Sequence, residues 1–333
     1  MPASSVTTAV TDRRRAGSCF IIATRERHDD LIEAVRSLVG QTVLPAELCV
    51  VDSSEEALRR GEIERLCAEA GITLDYVHPA PRGLTLQRNI GIDRTSGDPV
   101  FLIDDDVTFA PDVHEEILAE YRRWGPELGG VRGAPTDALE PSRLSILWRR
   151  LFGIGGWWRE ASGKMRSSFY VEGVSASESA RRIEYSEGWF MSYRREVFEH
   201  ERFDEALAGY AFKEDIDFSY RVAKRGYVLV QTPRARIVHH RSSSERLSAF
   251  DRQRMALGNQ FYLHRKNMPQ TPRYKAALWW ALLGSLPLNV GRMVKKRDPG
   301  WLTGFVVGSW EQARGRGLVD PASELRQKRD DSP

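Results

Sequence analysis

The chain has 333 residues, 41 % hydrophobic and 29 % charged with nine Trp and ten Tyr, which excludes a disordered, collagen-like or small stapled protein. Its net charge of +3 gives no general argument for nucleic acid. Cys19, Cys49 and Cys67 stand singly in apolar contexts, which argues against a disulfide framework or a cysteine zinc site and fits a reducing compartment.

Residues 1–15 are rich in Ser, Thr and Arg and lack the apolar stretch of a secretory signal, so residues 1–17 read as a disordered arm. From there short apolar runs alternate with amphipathic ones. Strands are expected at Cys19 to Ala23, Leu48 to Val51, Ile72 to Val77 and Val100 to Ile103, with helices near Asp29 to Gly40, Glu55 to Ala70 and Leu84 to Thr95. Each strand is almost wholly apolar, as a sheet covered by helices on both faces requires. The β-α-β-α order predicts an open, mostly parallel α/β sheet whose ligand crevice lies at the carboxyl ends of the strands.

Further along, Pro111 to Trp124 reads as a helix and Gly129 to Gly133 as a strand, while Leu144 to Glu187 has no clean period and is expected to be loops. Gly188 to Tyr193, a helix at Arg195 to Glu199, a helix from Glu214 to Arg225 and a strand near Tyr227 to Gln231 follow. From Arg252 to Arg316 basic residues interleave with Trp, Leu, Phe and Tyr, which predicts a separate helical appendage. Its longest uncharged run, Ala276 to Gly291, is about 16 residues and contains Pro287, shorter than a bilayer span. Two readings of the appendage stand side by side: a lid packed on the remaining domain, or helices lying among anionic lipid headgroups.

Three consecutive carboxylates, Asp104, Asp105 and Asp106, end the apolar strand Val100 to Ile103, where like charges at this spacing call for a cation. In extended chain the two-residue period puts Asp104 and Asp106 on one side, and hard oxygen donors select Mg2+ or Mn2+. A solvated acidic cap before the helix at Pro111 accounts equally well for the triplet taken alone. His239 and His240 follow the strand end Ile237-Val238. One imidazole, His239 in preference to His240, completes a ligand set with the two carboxylates. Glu214-Asp215-Ile216-Asp217 opens a helix, a placement that the macrodipole favours without further function. Beside a carboxylate-bound metal, however, Asp215 supplies the base needed when a phosphate leaving group is displaced by a hydroxyl.

Six segments in order carry a resemblance: Cys19 to Arg25, Val50 to Ser54, Gly83 to Gly91, Leu102 to Val107, Phe203-Asp204-Glu205 and Glu214 to Arg221. Over roughly Cys19 to Ser244 the chain resembles the family 2 glycosyltransferases. The resemblance implies a GT-A fold, a nucleoside-diphosphate sugar donor, a divalent metal, inversion at the anomeric carbon, and hexosyl or deoxyhexosyl transfer to a glycan or lipid-linked acceptor. It implies that Thr24, Arg25, Asp52, Arg88, Asn89 and Asp104 contact the nucleotide sugar, with Asp52 facing the base. It also implies that Asp104, Asp106 and His239 hold the metal, that Asp215 is the catalytic base, and that Gly188, Trp189 and Glu214 meet the acceptor. Trp189 and Phe190 are bulkier than the family pattern.

The corresponding divisions are an arm at 1–17, a nucleotide-sugar half at 18–110, an acceptor and catalytic half at 111–248, the appendage at 249–320 and a flexible tail at 321–333. A cytoplasmic enzyme of cell-envelope polysaccharide synthesis is implied, peripheral on the inner face of the cell membrane where the appendage meets an anionic surface. Two rival readings use the same residues. A haloacid-dehalogenase-type phosphatase also carries D-x-D-x-T, but on the first strand of its domain, and here several strands precede it. A non-catalytic membrane-surface or interaction protein would use the appendage alone. Nucleic acid is not expected as a partner, because an acidic crevice repels phosphates that lack a metal. No Walker loop and no G-x-G-x-x-G after a strand is present, so ATPase and dinucleotide readings lack a phosphate cradle.

Overall fold

The computed structural model describes residues 14–318 apart from 58, 136–141, 156–161, 175–178 and 241–246. The tail and most of the arm lie outside the described residues. The first half is β1 (Arg14–Thr24), α1 (His28–Val39), β2 (Val43–Asp52), α2 (Arg60–Ala70), β3 (Thr73–Val77), α3 (Leu84–Arg94), β4 (Val100–Asp104) and β5 (Val107–Phe109). There follow α4 (Val113–Trp124), β6 (Leu128–Pro135), α5 (Arg143–Leu151), β7 (Arg181–Ile183), β8 (Phe190–Tyr193), α6 (Val197–His200), α7 (Glu214–Lys224) and β9 (Val228–His239). Helices α8 (Ala249–Asn267), α9 (Pro272–Lys296) and α10 (Gly300–Ala313) form the appendage.

Among the described residues the strands make one sheet in the order β3-β2-β1-β4-β8-β6-β9-β5, with β7 on β9. The β3, β2, β1 and β4 pairs are parallel, whereas β8 joins antiparallel to β4. Strand alternation explains why these segments are apolar throughout. Phe20, Ile22, Phe101 and Ile103 enter the core on one face, while Cys19, Ile21, Val100 and Leu102 enter the core on the other. Phe20 stacks on Phe101 with ring centroids 4.3 Å apart, and each such buried side chain contributes about 1.5–3 kcal/mol.

Four elements depart from the sequence reading. Strand β1 begins at Arg14, not Cys19, because Arg14 to Ala16 pair with Val43 to Pro45 through backbone alone and leave no apolar signature. Residues 14–17 of the expected arm at 1–17 therefore belong to the sheet, and 1–13 lie outside the described residues. Strand β9 runs from Val228 to His239 through Pro233, a residue that ordinarily argues against strand. The segment expected to be loops contains α5, capped by Ser142 accepting from the Ser145 amide, and the short strand β7. Helix α8, by contrast, starts at residue 249, where the appendage was placed, with the Ser248 hydroxyl accepting from the Asp251 amide.

The appendage packs on the rest of the chain through α8, whose Asn259 and Gln260 amides donate to the Phe212 and Ser168 carbonyls, and it also leaves an apolar surface. Leu257, Phe261, Leu278, Leu282 and Phe305 close a core of their own, while Trp279, Trp280, Leu283 and Trp310 remain substantially exposed. Among the described residues no helix is long and apolar enough to cross a membrane.

Candidate active site

Sheet register assembles the site from distant segments. Strand β5 pairs antiparallel with β9 so that Val107 faces His239, which brings the imidazole beside Asp106, with Nε2 3.2 Å from Oδ1. Strand β4 ends at Asp104, and a turn occupies Asp105 and Asp106. The extended-chain argument for pairing Asp104 with Asp106 thus does not describe the backbone. The turn and the β5–β9 register achieve the same pairing: Asp104, Asp106 and His239 each offer one donor atom, all within 4.8 Å of one another. His240 is directed elsewhere, its Nε2 lying 2.8 Å from the Thr108 hydroxyl.

Burial pushes the Asp104 carboxyl up against the pull of Arg88, and neighbouring Asp106 adds to the rise. A cation placed between such groups relieves that cost. Two carboxylate oxygens and an imidazole nitrogen form a donor set that fits Mg2+ or Mn2+. Asp105 turns away, accepting from the Thr24 hydroxyl at 2.7 Å and from Arg27 at 3.1 Å. Burial holds its carboxyl at about 7 despite Arg27.

The second acidic cluster is aimed by Lys213, whose backbone lies in the left-handed region at φ 70° immediately before α7. Asp215 accepts from the Gly188 amide at 2.6 Å and the Ile216 amide at 2.7 Å. Burial raises its carboxyl above the ordinary range although both amides oppose it. Glu214 is raised to about 8 by burial, then by the Asp215 charge, against Arg88. Arg88 is buried and ties the two acidic clusters together, donating to Glu214 at 2.7 Å, Asp104 at 3.0 Å and the Gly188 carbonyl at 3.0 Å. Gly188 has little room: a Cβ there would stand 3.1 Å from Arg88, Asp215 and Glu214 alike.

A cleft of about 890 Å³ opens over these groups, lined by Thr24, Arg25, Asp104, Gly188, Trp189, Glu214, Asp215 and His239 among others. Arg27, Arg82, Lys213 and Arg252 also line it, and sequence reasoning assigned none of them a role. Arg27, Arg82 and Lys213 flank segments already singled out, so adjacency was the available signal. Arg252 reaches the cleft only through packing of α8. Burial lowers Lys213 to about 8, and its ammonium sits 4.4 Å from the Tyr170 ring centroid. Trp189 lies nearly parallel to His239, their ring centroids 6.1 Å apart, and its carbonyl accepts from the Asp104 amide.

Three expected residues are engaged elsewhere. Asp52 is fully buried, with Oδ2 accepting from Tyr76 at 2.6 Å and Oδ1 from the Ser54 amide at 2.9 Å. Its neighbour Ser53 lines the cleft instead. The Asn89 amide donates to the Phe203 carbonyl and Glu205 while its oxygen accepts from the Phe203 amide, which pins α3 to the loop before α7. The Arg88 guanidinium donates to Glu214, Asp104 and the Gly188 carbonyl, so its place is beneath the cleft floor.

An open sheet with helices on both faces and a metal-ligand set at the strand ends defines the GT-A class of fold. Among solved structures of that class, the chain is similar to the mannosyltransferase PcManGT from Pyrobaculum calidifontis in complex with GDP-Man and Mn2+, with a TM-score of 0.54, 16 % identity, and coverage of 94 % of this chain and 79 % of that one. Residues 19–170 match the family model "Glycosyl transferase family 2". It is 35 % identical over 112 residues to the glucosyl-dolichyl phosphate glucuronosyltransferase of Haloferax volcanii, covering 32 % of this chain and 34 % of that protein. It is 31 % identical over 111 residues to the succinoglycan biosynthesis protein ExoM of Rhizobium meliloti, covering 32 % and 36 %. The match thus spans about a third of the length of each of these relatives.

Proposed function

We propose that this protein is an inverting glycosyltransferase that moves a hexose or deoxyhexose from a nucleoside-diphosphate sugar to a hydroxyl of a glycan or lipid-linked acceptor, working peripherally at the inner face of the cell membrane. The observation that carries the reading is one cleft lined by Asp104 and His239, whose donor set the buried Asp106 completes, and by the separate carboxylate of Asp215. Arg25, Arg27, Arg82, Lys213 and Arg252 surround it with positive charge suited to a diphosphate. A divalent ion on the three donors supplies Lewis-acid stabilisation of the leaving diphosphate.

The chain's own groups do the rest. Asp215, raised by burial, takes the proton of the acceptor hydroxyl as that oxygen attacks the anomeric carbon opposite the departing diphosphate, a role typically contributing about 10²–10⁴ in rate. Two backbone amides fix the direction in which its carboxylate points. Arg88 keeps Asp104 and Glu214 at a set separation by hydrogen-bonding both. Trp189 covers one side of His239 and keeps water from that edge of the cleft.

The test is a panel of nucleoside diphosphates with Mn2+, read as thermal stabilisation, since a ligand of the native state alone raises the midpoint. At least one diphosphate should stabilise the protein only when Mn2+ is present. Asp104→Ala and Asp106→Ala should each abolish that stabilisation, and Asp105→Ala should keep part of it at lower basal stability. Failure of every diphosphate, or equal losses from all three variants, would overturn the reading.

A further inference from the structure

Helix α5 is amphipathic the wrong way round. Leu144, Leu147 and Leu151 recur at i, i+3 and i+7 and so share one face, yet they are 76 %, 65 % and 62 % exposed. The flank adjoining this row is the one that packs. Trp148 donates to the Gly284 carbonyl of α9 at 2.8 Å, and Phe152, just beyond α5, stacks on Trp280 at 4.7 Å and sits against Gly284 so closely that a Cβ there would lie 2.2 Å from the ring. Trp280 in turn donates to the Leu151 carbonyl at 2.9 Å. The two helices thereby meet at one junction, the C-terminal end of α5 against the middle of α9.

Helix α9 presents the same pattern. Its exposed Trp279, Trp280, Leu283, Leu286, Val290 and Val294 fall within an arc of about 120° at 100° per residue, while Leu278, Ala281 and Leu282 face inward. The leucine row of α5 meets this stripe at Leu151 and Trp280, making a continuous apolar surface.

Charge selects the occupant. Helix α5 carries Arg143, Arg149 and Arg150, and α9 carries Arg273, Lys275, Arg292, Lys295 and Lys296, yet neither helix has a single Asp or Glu. In a chain whose basic and acidic residues nearly balance, 49 against 46, a purely cationic pair of helices around an apolar stripe is a strong local bias. A protein partner or a second copy would be matched by apolar surface alone. An anionic lipid surface is matched by both features, with side chains entering the headgroup boundary and Lys and Arg meeting phosphates.

We propose that the α5–α9 face docks on an anionic lipid bilayer as an interfacial, non-spanning platform. The inference rests on these two helices and not on sugar transfer, so loss of donor binding in the diphosphate panel would leave it standing. Docking would place the α8–α9 unit at the membrane, and α8 lends Arg252 and Met255 to the cleft.

The experiment is co-sedimentation of the full-length protein with phosphatidylcholine vesicles carrying either no charge or about 30 % phosphatidylglycerol. The protein should pellet with the anionic vesicles, and raising salt to about 1 M should weaken the binding. Combined Leu144→Ser, Leu147→Ser and Leu151→Ser should reduce partitioning about 100-fold, with an unchanged thermal midpoint because all three are exposed. Lys295→Ser with Lys296→Ser should reduce it about fivefold per charge on anionic vesicles and leave neutral ones unaffected. Equal partitioning to neutral and anionic vesicles would overturn the proposal. So would failure of the triple variant to lower binding, or sedimentation of the lipid-free protein as a dimer that the leucine substitutions dissolve.

Discussion

Asp215 and Asp217 sit two residues apart on α7, and their surroundings assign them opposite roles. Asp217 is fully buried, and each oxygen is taken: Oδ1 accepts from Asn267 at 2.7 Å, while Oδ2 accepts from Lys266 at 2.9 Å and Arg221 at 3.1 Å. Lys266 and Asn267 end α8, so Asp217 is the bolt between α7 and the appendage. Removing one partner of a buried pair typically costs about 3–5 kcal/mol. Lys266 and Arg221 retain some exposure, with side chains 27 % and 16 % accessible, which places Asp217→Ala at the low end, about 3 kcal/mol. For a chain of this size that corresponds to a midpoint about 6 °C lower. Asp217→Asn keeps the shape and most hydrogen-bonding capacity. Burial also raises the Asp217 carboxyl against the pull of Lys266, so ionised Asp217 is held at some cost and the neutral amide should lose only about 1 kcal/mol. The assay is thermal unfolding of both variants alongside steady-state transfer. Turnover per folded molecule should survive in Asp217→Asn, with KM allowed to rise as α8 loosens. A stable Asp217→Ala protein with turnover abolished would refute the division of roles and make Asp217 the base.

Two further outcomes follow from the same geometry. Asp215→Asn should keep metal-dependent donor binding and reduce turnover by about 10²-fold or more, since it removes the base while an amide still fills the position; parallel loss of donor affinity and turnover in titration calorimetry and kinetics would make it structural. His114, buried between the Ser18 hydroxyl and the Val43 carbonyl, is pushed down to about 4 by burial, so the unfolded chain takes up its proton below about 6.5 and the folded chain does not. Its contribution is complete above pH 6.5 and lost as pH falls toward 4, about 3 kcal/mol in all, and His114→Gln should flatten the acid limb of stability against pH by that amount. An acid limb identical to that of the unsubstituted protein would sink this account.

Local pattern carried much of the molecule because the sheet is built from segments whose residues must be apolar on both faces. Cys19 to Ala23 and Val100 to Ile103 announce themselves as buried strands, and carboxylates placed just past such strands mark the crevice without any tertiary knowledge. Asp104 and Asp106 were singled out for that reason and His239 because it follows an apolar strand end, whereas Asp215 opens a helix and was singled out by its company with the other carboxylates and by the resemblance. The C-terminal helices were visible too, through their basic-aromatic composition.

What only tertiary structure decided were the matters that depend on partners distant in sequence. The sequence preferred His239 without excluding His240, and the pairing of β5 with β9, 130 or so positions apart in the chain, is what sets His239 beside Asp106. Asp52 and Asn89 belong by motif to the nucleotide site, but Tyr76 and the Phe203 backbone engage them, and such contacts arise from chain crossings that a single sequence does not order. Arg252 enters the cleft because Asp217 anchors α8, and the leucines of α5 face outward because Trp148 and Phe152 take the inward side against Gly284. Sequence determined which residues can be buried or charged at each strand end; only packing determined which of two equivalent neighbours, or which face of a helix, received the partner.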